Sequence, residues 1–122
     1  MLLLDYGDKR PLYEQVVERM QNLILSGGIE AESQLPSVRQ MALDLAINPN
    51  TIQRAYGELE RTGYIYSVKG RGNFVRDEED LQKLRREKMH DVLKAALEDC
   101  RRAGMTKEEL LEEFRKIMEE TR

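Results

Sequence analysis

The regular pattern of the chain opens with an amphipathic helix. From Leu12 onward, apolar side chains recur three and four residues apart, which places them on one helix face. Pro11 suits position N1 of this helix, where a missing N–H costs nothing, and Gly27 supplies the stop. Residues 29–36 have no such period and predict an irregular connection, because Pro36 holds the residue before it in an extended conformation.

Two further helices follow in close succession. The second begins with Ser37, and Gln40 three residues later completes the pattern of a capping box. The third begins after a tight break, where either Asn48, with a proline at N1, or Asn50 caps the helix. Gly63 ends it, and its apolar side chains recur at i, i+3, i+4 and i+7, so they should pack inward. These side chains are Ile52, Ala55, Tyr56 and Leu59.

Beyond the third helix the pattern changes to short runs of β-forming residues. Residues 64–68 and 73–75 predict two strands, and the glycine-rich residues 69–72 between them predict a hairpin with a basic tip. Helix, tight turn, helix and then a β-hairpin is the order of elements in a winged helix-turn-helix. The predicted fold is therefore mainly α with a small β-hairpin, an N-terminal winged helix-turn-helix followed by a C-terminal helical hairpin.

The C-terminal residues predict that helical hairpin. Four carboxylates at residues 77–80 lie where a helix N-terminus favours negative charge, and an apolar stripe then continues to a break at Gly104. Thr106 and Glu109 form the capping box of a final helix. Two helices alone leave part of the stripe exposed, so we expect a second copy of the chain to cover it. The residues expected in this dimer interface are Leu84, Val92, Leu93, Ala96, Leu97, Leu110, Phe114, Ile117 and Met118.

Charge divides the chain near residue 76. The formal net charge is −3, and the acidic excess lies entirely beyond that residue. Residues 50–76, in contrast, hold five basic and two acidic side chains, a local charge of +3. We therefore predict a DNA-binding winged helix-turn-helix domain over residues 1–76 and a helical dimerisation tail over residues 77–122.

Composition excludes several classes of protein. A single histidine and a single cysteine are too few for a histidine-rich metal site or a disulfide framework, and the sequence holds no catalytic constellation. We expect a cytoplasmic protein that is not an enzyme and uses no metal or other cofactor, because one cysteine fits a reducing compartment and no apolar run could span a bilayer. His90 should be exposed, and Cys100, on the apolar stripe, should be buried.

The third helix has the polar outer face that a helix needs to read the DNA major groove. With its apolar residues turned inward, Thr51, Gln53, Arg54 and Gly57 remain outside. Glutamine can bond adenine, arginine can bond guanine, and threonine can reach a phosphate or a thymine methyl group. Gly57 leaves room for a close approach of the sugar-phosphate backbone.

Two more candidate DNA-binding segments lie before and after this helix in the chain. Ser37 and Arg39 lie at the N-terminus of the second helix, whose free N–H groups can hold a phosphate, and Arg39 either reinforces that grip or reaches a base. Lys69 and Arg71 at the hairpin tip can follow a phosphate backbone or enter a minor groove. A winged-helix module for protein–protein assembly is the alternative, but such a module needs neither a basic tip nor a polar helix face.

Five blocks of sequence carry a family resemblance. They are Pro-Leu-Tyr-Glu-Gln at 11–15, Leu-Pro-Ser-Val-Arg at 35–39, and the segments 48–56, 59–65 and 70–75. In this order, over about residues 8–76, they resemble the GntR family of bacterial transcription regulators. The resemblance implies a sequence-specific transcription regulator, and we expect a repressor. With one recognition helix per chain and an unsatisfied apolar stripe in the tail, it should bind a roughly palindromic DNA operator as a homodimer. The short two-helix tail resembles the YtrA subfamily, which implies a dimerising tail and control of transporter genes.

The resemblance also implies which residues contact DNA. The arginine of the Leu-Pro-Ser-x-Arg block, which reads a base in relatives, is Arg39, and the other contacts fall on the third helix and the hairpin tip. Some relatives carry an arginine where this chain has Pro49, so that contact does not transfer. Neither the residues nor the resemblance identifies a small-molecule effector, so the effector is unknown. The predicted DNA-binding residues are Ser37, Arg39, Asn50, Thr51, Gln53, Arg54, Lys69, Gly70 and Arg71.

Overall fold

The predicted order of elements is confirmed. The computed structural model describes residues 4–121, and in them the chain forms five helices and a two-stranded antiparallel sheet. These residues divide into two compact units that meet between Arg85 and Arg86. The elements are α1 (Leu12–Ser26), α2 (Val38–Leu45), α3 (Pro49–Arg61), β1 (Ile65–Val68), β2 (Gly72–Val75), α4 (Glu78–Arg102) and α5 (Lys107–Glu120).

The start of α1 differs from the prediction by one position. Pro11 occupies the N-cap, with an extended backbone, rather than N1. The segment before it is held by Gln15, a buried polar residue whose Oε1 accepts a hydrogen bond from the Asp5 N–H at 3.0 Å. The Gln15 amide also donates to the Arg10 carbonyl at 3.3 Å, so both ends of this buried group are satisfied. Gly27 ends the helix in the left-handed conformation that glycine adopts without strain.

The caps of α2 and α3 settle one open alternative and correct one prediction. Asn48 caps α3 with Pro49 at N1, because the Asn48 Oδ1 accepts from the Asn50 N–H at 2.8 Å. Ser37 caps α2 by accepting from the Gln40 N–H at 3.0 Å. The Gln40 side chain does not accept from the Ser37 N–H, so the predicted capping box is only half formed; its amide donates to Asp44 at 2.8 Å.

The N-terminal unit encloses one hydrophobic core between α1, α2, α3 and the hairpin. The four side chains of α3 predicted to pack inward are all buried. Leu81 of α4 is also buried, and the Arg85 Nε donates to the Leu25 carbonyl at 2.8 Å, so the first turns of α4 belong to this unit. The core consists of Val16, Met20, Ile24, Leu35, Met41, Ala42, Ile52, Ala55, Tyr56, Leu59, Tyr64, Ile65, Val75 and Leu81.

The hairpin has more support than the sequence predicts. Its strands pair from Ile65 opposite Val75 to Val68 opposite Gly72. The connection at residues 29–36, predicted as irregular, lies beside β2, where the Leu35 N–H donates to the Asn73 carbonyl at 2.9 Å. That prediction missed the pairing because so short a contact leaves no period in the sequence.

The C-terminal unit contains the rest of α4 and all of α5. Gly104, with φ of 88°, makes the turn between them, and Thr106 and Glu109 form the predicted capping box. No side chain of residues 86–121 is buried. His90 is exposed as predicted, whereas Cys100, predicted to be buried, is partly exposed. Within residues 4–121 no helix is long and apolar enough to cross a membrane.

Candidate nucleic-acid interface

The outer face of α3 presents polar side chains to solvent. Asn50, Gln53 and Arg54 are exposed, and Thr51 is half-buried beside them. Gly57 lies one turn further along the same face. A Cβ atom added there would meet no atom within 4 Å, so the helix surface is open to a close neighbour at this point. The predicted recognition face therefore exists as one continuous surface.

The inner face of α3 fixes where that surface points. Tyr56 is buried, and its hydroxyl donates to the Pro36 carbonyl at 2.8 Å. This bond joins α3 to the short connection that leads into α2. Burial raises the pKa of Tyr56 to about 12, because a phenolate would lose its hydration there. Helix α3 is thus held against the segment that leads into α2 by a neutral, hydrogen-bonded tyrosine.

Arg54 is held by an aromatic ring rather than by a carboxylate. Its guanidinium carbon lies 3.7 Å from the centroid of the Tyr13 ring, a cation–π contact between α3 and α1. Tyr13 itself is half-buried against the core, so its ring both packs inward and contacts the Arg54 guanidinium. Nearby, the Arg61 guanidinium donates to Glu58 and lowers the pKa of that carboxyl.

The N-terminus of α2 places Ser37 and Arg39 side by side on the surface. Both residues are exposed, and Arg39 is the second residue of the helix. The Ser37 Oγ is occupied as an acceptor by the cap, which leaves its hydrogen available to donate. Arg39 has no carboxylate partner within the part of the chain that the structure describes.

The hairpin tip exposes two more basic side chains. Lys69, Gly70 and Arg71 are all exposed, and Gly70 has a φ of 77°, which favours glycine. The Arg71 N–H donates to the Val68 carbonyl at 2.9 Å and closes the turn. Among residues 4–121, neither Lys69 nor Arg71 forms an ion pair. The tip is therefore positively charged and accessible.

Two residues that support this surface were not predicted from the sequence. Gln34 donates from its side-chain amide to the Arg71 carbonyl at 2.7 Å. Glu60, on α3, accepts a hydrogen bond from the Ser67 N–H at 3.1 Å and so joins α3 to β1. Neither residue belongs to a periodic pattern, and both act across a long distance in sequence or between elements. No signal in the sequence alone could have identified them.

Comparison with known proteins identifies the family. The profile described as bacterial regulatory proteins, gntR family, matches residues 12–75. The chain belongs to the GntR family. This GntR protein is 34% identical over 119 residues to the HTH-type transcriptional repressor YtrA of Bacillus subtilis (strain 168). The alignment covers 96% of this chain and 92% of that relative. It is also 34% identical to a GntR family transcriptional regulator from Listeria monocytogenes, with a TM-score of 0.75 over 93% of this chain and 98% of that one.

A third similar structure includes DNA. It is AraR(DBD) in complex with operator ORE1, with a TM-score of 0.53 and 31% identity over 62% of this chain and 92% of that chain. The members of the family are transcription regulators, not enzymes. The chain is accordingly a DNA-binding transcription regulator with an N-terminal winged helix-turn-helix. Within its described residues, no group of three or more histidine, cysteine, aspartate or glutamate side chains could hold a metal ion.

Proposed function

We propose that this GntR regulator is a repressor that binds a roughly palindromic operator as a homodimer. The observation that carries the proposal is a set of exposed basic side chains that have no carboxylate partner among residues 4–121, in the elements that precede and follow the polar helix α3. They are Arg39, Lys69 and Arg71. A basic group that has no partner in the protein can exchange its counterions for phosphates or base edges without breaking an ion pair.

The proposed contacts divide between base reading and backbone positioning. Gln53 and Asn50, exposed on α3, can bond adenine in the major groove, and Arg39 can bond guanine. Arg54, stacked on Tyr13, fits a contact to the DNA backbone better than a contact to a base edge, because its guanidinium is already held by the ring.

Two further groups position the protein on the duplex in this proposal. Ser37 can donate its hydroxyl hydrogen to a phosphate beside the N–H groups of α2. Lys69, Gly70 and Arg71 can enter the adjacent minor groove, where glycine permits a close approach and the two cations meet a negative potential.

Selection of bound sites from random duplex DNA tests this binding mode. The full chain should recover a sequence with two-fold symmetry, with half-sites about one helical turn, or a multiple of it, apart. Affinity should fall steeply as salt rises, because phosphate contacts release counterions. Recovery of single asymmetric half-sites at full affinity would contradict the proposed palindrome.

The proposed dimer interface lies in the tail. Most of the apolar side chains predicted for it are exposed, for example Leu93 at 57% and Phe114 at 51%. Burial of each large apolar side chain contributes roughly 1.5–3 kcal/mol, so a second copy of the chain gains stability by covering them. Leu84 differs from the rest, because it is half-buried and packs against the N-terminal core.

Sedimentation equilibrium with a charged substitution in the tail tests the interface. Leu93→Lys should convert the dimer to a monomer at micromolar concentration, because a buried charge without a partner is strongly unfavourable. Glu98→Lys is the matched control, since residue 98 lies on the opposite face of α4 by helical spacing and is exposed. A monomeric unsubstituted chain, or a dimer that Leu93→Lys leaves intact, would rule out this interface.

Transporter genes are the proposed targets, on the resemblance of the tail to the YtrA subfamily. If the protein is a repressor of such genes, its deletion should raise the transcripts that lie beside the selected operator. Transcript sequencing of the deletion strain measures this effect. A fall in those transcripts would indicate an activator, and operators beside unrelated genes would contradict the proposed target class.

A further inference from the structure

Gln34 occupies a position that joins the predicted DNA-contacting elements. It lies in the connection before α2, and its backbone is held beside β2 by a bridge to Phe74. Its side-chain amide reaches the hairpin tip and donates to the Arg71 carbonyl at 2.7 Å. Two residues later, the Pro36 carbonyl accepts the hydroxyl of Tyr56 from α3. One short segment therefore contacts both the tip and the recognition helix, and it leads directly into Ser37.

The hairpin tip is built from residues that permit several backbone conformations. Gly70 and Gly72 both have positive φ, at 77° and 117°, and glycines in such a loop leave many backbone conformations accessible. The strand pairing ends at Val68 opposite Gly72, and within the turn the Arg71 N–H donates to the Val68 carbonyl at 2.9 Å. The Gln34 amide adds a bond from outside the hairpin, to the Arg71 carbonyl.

Gly72 makes room for this amide. A Cβ atom at residue 72 would lie 2.9 Å from the Gln34 Nε2, closer than a real Cβ contact allows. The absence of a side chain at residue 72 and the amide of Gln34 thus complement each other. The amide therefore packs directly against Gly72, and its bond to the Arg71 carbonyl holds it there.

We propose that Gln34 is a positioning residue for DNA binding. It orders the hairpin tip before DNA binds. The inference rests on the proposed contact of Lys69 and Arg71 with DNA. A loop that is already ordered loses less conformational entropy when it binds, so the bond to the Arg71 carbonyl raises affinity without touching DNA. Because the same segment continues into α2, it also sets the spacing between the tip and Arg39.

Gln34→Met tests the role, since methionine matches the length of glutamine but cannot donate a hydrogen bond. Operator affinity should fall about 2- to 10-fold, the effect of one lost hydrogen bond. Gln21→Met is the matched control on a partly exposed glutamine of α1, and it should leave affinity unchanged. Hydroxyl-radical footprinting of the full chain on its operator measures this effect. Gln34→Met should weaken the protection of DNA by the hairpin tip, while the protection of DNA by α3 persists.

A double-mutant comparison separates positioning from other effects. In a protein that carries Lys69→Ala and Arg71→Ala, Gln34→Met should cost no further affinity, because the tip no longer contacts DNA through those side chains. The same cost in both backgrounds would overturn the positioning role. If Lys69→Ala with Arg71→Ala lowers affinity but Gln34→Met does not, only this inference fails. If the double alanine variant binds as well as the unsubstituted chain, the proposed contact between the hairpin tip and DNA fails, and this inference fails too.

Discussion

Ion pairing separates the basic side chains of the N-terminal unit into two groups. Arg10 and Arg61 donate to neighbouring carboxylates, which stabilise their positions on the protein surface. Arg39, Lys69 and Arg71 have no such partner among residues 4–121. The net charge of the chain does not reveal this difference. It is negative because of the acidic residues in excess beyond residue 76, whereas the unpaired basic side chains lie before it.

Arg39→Ala should therefore have a sequence-dependent effect on DNA binding. We expect a loss of about 1–3 kcal/mol on the operator and relaxed specificity at one base pair. Arg61→Ala, which removes an exposed arginine already paired with Glu58, serves as the control and should change affinity little. Binding isotherms on the operator and on its single-base variants measure both effects. Equal losses for Arg39→Ala on operator and random DNA would assign Arg39 to a phosphate instead.

Tyr56 should make the stability of the protein depend on alkaline pH. Burial raises the pKa of Tyr56 to about 12 from an ordinary value of 10.0. The folded state favours the neutral phenol, so this stabilisation is complete below about pH 10 and is lost as the pH rises toward 12. The free energy of unfolding should fall over that range, and it should fall less in Tyr56→Phe. Urea unfolding at several pH values measures it, and identical pH profiles for the two proteins would contradict the account.

At the scale of elements, local signals were enough to predict most of the fold. The period of α3 and its glycine stop depend on neighbours in sequence, and the four predicted inward side chains are buried. The choice between Asn48 and Asn50 as its cap depends on the three-dimensional geometry of the turn, because both residues have suitable side chains. Pairing of residues 33–35 with β2 was missed, since it joins segments far apart in the chain.

The candidate site was predictable to the same degree. Exposure of the recognition face follows from helical period, and the basic tip is visible in the sequence itself. The supporting contacts of Gln34 and Tyr13 were not predictable, because each depends on how two distant elements pack. The sequence thus predicted which of these groups are exposed better than which groups hold them in place, and their contact with DNA stays a prediction.

The turn between α2 and α3 contains a residue with a strained backbone conformation. Ala46 has a φ of 54°, in the left-handed region that disfavours residues with a Cβ atom. Ala46→Gly should raise the free energy of unfolding by about 1 kcal/mol. Ala46→Val should lower it, because a β-branched side chain fits this conformation worse than alanine does. Thermal or urea unfolding measures both changes, and a destabilised Ala46→Gly protein would show that the turn is unstrained.

At the scale of the whole molecule, the packing of α4 sets where the chain can be divided. Leu81 is buried in the N-terminal core, and the Arg85 guanidinium bonds the Leu25 carbonyl, so the compact unit extends to Arg85 rather than to residue 76. The assignment of DNA binding to residues 1–76 and of dimerisation to residues 77–122 stays a prediction about function. A fragment that ends at residue 76 loses both contacts.

The two possible fragments should therefore differ in stability. Residues 1–85 should fold as a stable unit, whereas residues 1–76 should be less stable by roughly 1.5–3 kcal/mol, the contribution of one buried leucine side chain. Urea unfolding of the two fragments measures the difference. Leu81→Ala in the longer fragment should reproduce much of the loss. Equal stability of the two fragments would mean that Leu81 contributes little to the core.

The central claim is that the tail joins two DNA-binding units, and fragment 1–85 tests it most directly. Its sedimentation and its affinity for the selected operator should be measured beside those of the full chain. We predict a monomeric fragment that binds a full operator about 10²–10⁴-fold more weakly, because linking two binding units raises avidity by that amount without any new contact. A fragment that remains dimeric and keeps full operator affinity would contradict the claim.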